Sequence, residues 1–401
     1  MLIVLALFYL VKAVTQGAGD FSVYYGAAND IRQGKPIYFV DYFVGTEPCS
    51  YSYPPFFAML LILLTALPLP VADTLWLLLN IFLLFRIFKI IDNFLETRSL
   101  FSVKTYRLWI FLVLLFTVRF ILYNFDLSQS TIIILWGCIE SLNLTLKNRF
   151  VLSGLLLATV ISIKLMPLVM LPYFFYRGFF RSGLWTLLFL VLLNLLPAAF
   201  YGFQNYLSVL HQWQAVINPT SKDFILDENN IMETAHSLSA LLSALCTDTV
   251  TRFGIKRNIT ILPYEKILLL LTVLQLFFIS LTLLFLRTLP FKTITDKKHL
   301  FVEFSYLMLI VPLIFPHQQK HGFVMILPAV AFIWFRVLEK KQAGVLLKNI
   351  IALMIIIWLL TTTSTDGIIG KEMYEYGQYF KLITWGTILL IVPLLKLTID
   401  S

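Results

Sequence analysis

The chain has 401 residues, of which 59% are hydrophobic and 13% charged, with a formal charge of +9 and a mean hydropathy of +0.85. Soluble domains carry about 25% charged and about 45–50% apolar residues, so this composition excludes a soluble enzyme on a single anchor. The basic excess is no nucleic-acid footprint, because Lys and Arg fall in short segments between apolar runs, which is the positive-inside pattern of a polytopic membrane protein.

In chain order, apolar runs predict helices near 2–18, 54–91, 108–122, 129–146, 150–163, 166–176 and 183–200. A more polar stretch from Tyr201 to Tyr264 follows, then helices near 265–287, 302–316, 322–336, 346–362 and 382–398. The runs do not alternate as barrel strands would, and several approach the roughly 20 residues a spanning helix needs. The fold class is therefore all-α, one polytopic domain over 1–401 with about 12 transmembrane helices. Leu2 to Val14 lacks the basic leader of a signal peptide and reads as the first span. Cys49, Cys138 and Cys246 have no metal-ligand spacing; Cys49 with Cys246 is the one pair considered for a disulfide.

Orientation follows from the basic connections. Arg86, Lys89, Arg98, Lys104 and Arg107 mark one, Lys147 and Arg149 a second, and Arg177 and Arg181 a third. Arg287, Lys292, Lys297 and Lys298 mark a fourth, and Arg336, Lys340, Lys341 and Lys348 a fifth. All five face the cytoplasm only if the segment between Pro54 and Ile91 crosses an odd number of times. Pro68 and Pro70 divide that segment, so one half is expected to be re-entrant or buried in protein. This places the loops 19–53 and 201–264, with Tyr123 to Gln129, Lys164 and Pro316 to His321, on the outer face.

The first outer loop begins Gly19-Asp20-Phe21-Ser22-Val23-Tyr24-Tyr25 and ends Tyr51-Ser52-Tyr53-Pro54-Pro55. Positions 21, 24, 25, 28 and 31 recur at helical spacing and predict an amphipathic juxtamembrane helix with Asp20 as its N-cap. The plain reading is that Asp20 only caps; the sharper one is a carboxylate at the membrane boundary, where a general base is needed. Tyr24, Tyr25, Tyr38, Tyr51 and Tyr53 are candidates to stack on a sugar, although interfacial belts are rich in tyrosine anyway. Asp41, Glu47, Asp227 and Glu228 read as solvated loop charge.

The Asp-Phe-x-Val-Tyr-Tyr start, the Gly34-to-Tyr38 element, the Tyr53-Pro54-Pro55 helix entry and Ser162-Ile163-Lys164-Leu165-Met166-Pro167 together resemble glycosyltransferase family 87. The resemblance covers roughly the first 200 residues. Where that family shows a Gly-Gln pair the chain has Asp126-Leu127-Ser128-Gln129, and where it often shows Asn-Gln-Ser the chain has Ala235-His236-Ser237-Leu238. What the resemblance implies is a GT-C-like fold and transfer of a mannose-like sugar from a polyprenyl-phosphate-linked donor to a glycan or glycolipid acceptor. It also implies a multi-pass protein of a cell membrane, the bacterial inner membrane, working on the extracytoplasmic face. By motif position Asp20 is the catalytic base of an inverting displacement. No cofactor or metal is called for, since a monophosphate can be held by Lys, Arg or His.

Lys164 is the first candidate for that phosphate contact, since a charge beside apolar helices usually faces a cavity or a partner; a snorkelling anchor is the alternative. His317, Lys320 and His321 could bind the same phosphate or mark a polar turn, and Arg119, about one turn from its helix end, is a secondary candidate. Tyr24, Tyr53, Gln129 and His236 are assigned to the substrate cavity, and Asn230 is a weaker candidate in the large loop. Two other functions remain open: a transporter or flippase of lipid-linked saccharides, against which the lack of duplicated halves argues, and a non-catalytic binder, which would not need Asp20.

Overall fold

The computed structural model describes residue 11 and residues 18–218, 221–226, 234–248, 254–294, 296–340, 344–362 and 365–399. Apart from residues 11 and 18, the span expected over 2–18 lies outside the described residues, as do Asp227, Glu228 and Asn230. The described chain is helical, with one antiparallel hairpin, Asp41–Val44 and Glu47–Ser50, that pairs Tyr42 with Cys49. The three cysteines are free thiols.

Six of the described helices are long and apolar enough to cross a bilayer: Leu69–Leu95, Val103–Asp126, Phe180–Tyr201, Tyr264–Leu286, Lys320–Glu339 and Leu382–Ile399. Thr131–Leu146, Phe150–Ile163, Met166–Tyr176 and Val345–Thr361 are shorter apolar helices. Leu184, Val191 and Leu195 on one span, and Leu269, Val273 and Leu276 on another, expose their side chains fully enough that water would be a poor solvent for them. Such wide apolar faces are satisfied by lipid, and the chain is a membrane protein.

The Pro54–Ile91 segment behaves as the prolines require. Pro54 and Pro55 open a helix at Pro55–Leu60, and a 3-10 turn follows at Ile62–Ala66. Leu67, before Pro68, is extended (φ −103°, ψ 152°), as a residue preceding proline must be. Only then does the long helix Leu69–Leu95 begin. The first half is too short to cross a bilayer.

The chain divides into two units. The first comprises Met1–Ile90, Leu122–Asn218 and Pro290–Thr293; the second Ile91–Ile121, Pro219–Leu289 and Ile294–Ser401. In the first, Thr131–Leu146, Phe150–Ile163 and Phe180–Leu195 pack closely side by side. Small residues permit this: a Cβ on Gly137 would strike Val160, and one on Gly154 would strike Trp185 and Thr186. Thr145 joins the three helices by hydroxyl hydrogen bonds of 2.7 Å with Ser153 and with Ser182. In the second unit, the buried helix Lys297–Ile314 packs on the Lys320–Ile326 turn and on Leu327–Glu339. Trp109 donates its indole N–H to the Ala331 carbonyl at 2.9 Å.

Two expectations need correction. The polar stretch from Tyr201 to Tyr264 is not a plain loop, because it contains the helices Phe203–Val216 and Leu238–Cys246. The second is nine residues of Leu, Ser and Ala ending in Cys246, capped by Ser237 accepting from the Ala240 N–H, and too short to stand out of a polar average. Arg119 is seven residues from the end of its helix at Asp126, about two turns inward and not one.

Candidate active site

The helix Phe21–Arg32 forms where the sequence places it and buries Phe21, Val23, Tyr24, Ala27, Ala28 and Ile31 against the Pro55–Leu60 helix and the Ile62–Ala66 turn. Asp20 does not cap it. The first-turn N–H groups are satisfied by main chain instead: Phe21 by the Ala18 carbonyl at 3.0 Å, Ser22 by Gly19 at 3.2 Å and Val23 by Asp20 at 3.1 Å. The carboxylate is thereby released for another partner, and Gln129 donates its side-chain amide to Asp20 Oδ2.

This approach depends on Gly19. Its φ of +49° lies in the left-handed region, and an added Cβ would fall 3.0 Å from the Leu127 carbonyl; glycine alone avoids both penalties. The Asp20 N–H then donates to the Leu127 carbonyl at 3.1 Å, so the start of one helix is laced to the Leu127–Gln129 turn. Ser128 is held at φ +50° in that turn.

Gln129 is oriented from its other end. Its Oε1 accepts from the Tyr24 and Tyr53 hydroxyls, each at 3.2 Å, and those hydroxyls lie 2.9 Å apart. An amide oxygen engaged by two phenols leaves its NH₂ to face the carboxylate. Tyr24 and Gln129 are buried, whereas Asp20 and Tyr53 remain partly exposed. Tyr38 and Tyr51 are also buried and donate to the carbonyls of Tyr53 and Pro54.

Lys164 is the cation of this group. It sits in extended conformation (φ −153°, ψ 136°) in the break between Phe150–Ile163 and the Met166–Val169 turn, outside the six spans, where Pro167 forbids a continuous helix. Its ammonium lies 5.7 Å from the centre of the Tyr53 ring. Burial pushes the Asp20 carboxyl up to about 6, with the Gln129 hydrogen bond and the Lys164 charge pulling the other way. Burial likewise lowers Lys164 to about 8, opposed by Asp20. A partly exposed carboxylate that titrates near neutrality beside a cation is suited to accept a proton at physiological pH.

The second unit holds the other predicted cations. Arg119, Lys320 and His321 are buried, and His317 is half-buried in a left-handed turn residue (φ 56°). None of the three guanidinium nitrogens of Arg119 makes a hydrogen bond. Lys320 donates to the Tyr374 hydroxyl, with its ammonium 4.0 Å from that ring's centre. His236 is buried edge-on to Phe323, its main-chain N–H donating to the Gln318 carbonyl at 2.7 Å and its main-chain carbonyl accepting from the Thr384 hydroxyl at 2.6 Å. Burial, then the nearby charges of Lys381, Lys320 and Arg119, hold His236 well below the ordinary histidine range and so neutral.

Lys381 is the residue sequence reasoning missed here. It is 1% exposed, has φ +56°, and donates to the Ala235 carbonyl at 2.9 Å. Its only signal was a charge at the very start of an apolar run, which resembles an ordinary helix-end anchor. Among the described residues, no three His, Cys, Asp or Glu side chains gather as metal ligands. The sequence prediction thus resolves into two sets, Asp20 with Lys164, Tyr24, Tyr53 and Gln129 in the first unit, and Arg119, His236, His317, Lys320 and His321 in the second.

A family model described as glycosyltransferase family 87 matches residues 51–316, about two thirds of the chain. Neither a curated protein nor a solved structure matches it.

Proposed function

Because this chain belongs to glycosyltransferase family 87, a membrane glycosyltransferase, we propose that it moves a mannose-like sugar from a polyprenyl-phosphate-linked donor to a glycan or glycolipid acceptor, with inversion. In this reading the chain crosses the bilayer about 12 times as a single GT-C-like domain in a bacterial inner membrane, and transfer takes place on the extracytoplasmic face.

The acceptor hydroxyl attacks the anomeric carbon as Asp20 takes its proton, and the bond from that carbon to the donor phosphate breaks. The phosphate leaves as polyprenyl phosphate with one more negative charge than the donor carried. Lys164 meets that growing charge beside Asp20; within the second unit, Arg119, His317, Lys320 and His321 are the candidate donor-phosphate contacts. The Arg119 guanidinium, buried with none of its nitrogens hydrogen-bonded, is costly unless an anion completes it, and charge-assisted hydrogen bonds to phosphate are strong. Tyr53, partly exposed, faces the sugar; Tyr24 and Gln129 support the base from behind, and His236 supports the cations.

The observation that carries this reading is the Asp20 carboxylate itself: it gives up the capping role, stays accessible, and is aimed by a glutamine that two tyrosines hold in place. A protein that only bound lipid-linked saccharides would have no use for it. The test is Asp20→Asn in purified protein, with turnover and donor binding measured together. Transfer should fall about 10²–10⁴-fold while donor affinity stays within a few-fold. Near-normal turnover excludes Asp20 as base, and joint loss of binding and folding assigns it to structure.

A further inference from the structure

One cavity has no part in that mechanism. It measures about 310 Å³ and lies within the second unit, between the helix Leu238–Cys246, the segment that carries Arg257 and the start of the span Leu382–Ile399. Arg257 and Lys381 line it, and its other walls are aliphatic or aromatic, Leu241, Leu382 and Trp385 among them. None of Arg119, His317, Lys320 or His321 is among the described residues that line it.

Both cations are held in place. Arg257 is 8% exposed; its guanidinium lies 4.4 Å from the centre of the Tyr379 ring and donates to the Tyr379 carbonyl at 2.8 Å. Tyr379 is anchored in turn, its hydroxyl donating to the Ile255 carbonyl at 2.8 Å. The segment around Arg257 is laced to the end of the short helix, where the Leu245 carbonyl accepts from Ile259 at 2.8 Å and the Cys246 carbonyl from Leu262 at 2.9 Å. Lys381 is the more unusual of the two. A lysine at the head of a span ordinarily runs its stem along the surface to water; this one is 1% exposed and donates to the Ala235 carbonyl at 2.9 Å. It also holds φ +56°, which glycine or asparagine adopts more cheaply. A lysine both strained and desolvated points to a use for its charge, and main-chain carbonyls fix the two heads without carrying a formal charge to cancel theirs.

A guanidinium and an ammonium fixed at one cavity suit a phosphate, and the apolar walls suit hydrocarbon. Trp385 gives the depth. It is 41% exposed in the first turn of the span, the place of an interfacial aromatic, so the cavity lies at the level of the lipid headgroups. We propose that this cavity binds the phosphate of an anionic phospholipid of the bilayer, with Arg257 and Lys381 on the phosphate and Leu382 and Trp385 along the start of its acyl chains. The bound lipid ties the Leu238–Cys246 helix to the span. Nothing in this depends on Asp20 being the base.

The experiment is thermal unfolding of the purified full chain in nanodiscs of phosphatidylcholine, with and without phosphatidylglycerol, paired with native mass spectrometry of the lipid it retains. Phosphatidylglycerol should raise the melting temperature of the parent, as a ligand of the folded state does. Arg257→Gln and Lys381→Asn should each weaken phosphatidylglycerol retention about fivefold, the effect of one basic charge near a headgroup, and the double variant should show no rise. Asparagine accepts the left-handed backbone at position 381, and Arg257→Lys should keep most of the rise, which separates charge from packing. Lys256→Gln, at an exposed neighbour outside the lining, should behave as the parent. An equal loss in Lys256→Gln means diffuse surface attraction and overturns the proposal. So does a variant that melts lower in both lipids with its phosphatidylglycerol rise unchanged, which makes the cations structural. An Arg257-dependent rise produced in phosphatidylcholine by inorganic phosphate, or by polyprenyl phosphate and not by phosphatidylglycerol, overturns the choice of a phospholipid. Should Lys381→Asn fail to insert, Arg257→Gln against Arg257→Lys gives the same decision.

Discussion

A base held ready in a desolvated site should make the folded protein less stable than it need be, and Asp20→Asn measures by how much. Burial raises the Asp20 carboxyl from 3.8 to about 6, a shift of about two units, or at most roughly 3 kcal/mol at about 1.4 kcal/mol per unit, less where solvent reaches the oxygens. Because the folded pKa lies above the unfolded one, this contribution to stability is complete below about pH 4 and is lost as pH rises through about 6. Asparagine keeps the shape, and its oxygen still accepts from Gln129, but it carries no charge to desolvate. The variant and the parent should therefore have equal stability near pH 4, and the variant should be more stable by about 1–3 kcal/mol at pH 8, while its transfer rate collapses. Thermal unfolding in the same detergent or nanodisc across pH 4–8 reads this directly. A variant less stable than the parent at pH 8, or a difference that does not depend on pH, would refute the reasoning and make the carboxylate a structural partner.

The pH–rate profile of the parent should be a bell, rising through about 6 as Asp20 ionises and falling through about 8 as Lys164 loses its proton; a flat profile from 5 to 9 removes both assignments. Lys164→Met should raise the acid limb, by removing the charge that favours the Asp20 carboxylate, and weaken donor binding, leaving insertion intact; unchanged donor affinity shifts the phosphate contact to Arg119 and Lys320. Inorganic pyrophosphate should raise the melting temperature of the parent by filling the second unit's cation group, and Arg119→Gln should abolish that rise; an equal rise in the variant excludes the guanidinium as a contact. Arg86→Leu should destabilise the first unit by about 2 kcal/mol, since Glu140, 3.2 Å away and mostly buried, loses its cation; a Glu140→Leu second change should recover most of it. Lys35→Cys, at an exposed position of the 19–53 segment, should react with an impermeant thiol reagent on intact cells; reaction only after permeabilisation would reverse the orientation.

What the sequence made legible was whatever depends on local chemistry. The helix after Asp20 follows from apolar spacing, and the break at Leu67 and the extended Lys164 follow from the prolines that come after them. What it hid depends on partners distant in the chain. Asp20 reads as a cap because aspartate before a helix usually is one; only a glycine able to approach Leu127, 108 residues away, frees it for Gln129. Tyr24 and Gln129 are buried, and Gln129 joins Tyr24 and Tyr53 to Asp20 by hydrogen bonds that no motif announces. Lys381 and Arg257 carry no motif at all, and their interest comes from being desolvated. The short helix Leu238–Cys246 escaped notice because nine residues yield too little periodic signal against a polar surround.

The measurement closest to the central claim is sugar transfer by the purified protein in nanodiscs. A polyprenyl-phosphate-linked mannose and the corresponding nucleotide sugar are supplied in turn, and the anomeric configuration of the product is read by NMR. The account predicts transfer from the lipid-linked donor alone, with inversion, and release of polyprenyl phosphate. Transfer from the nucleotide sugar alone, or retention of configuration, would contradict it.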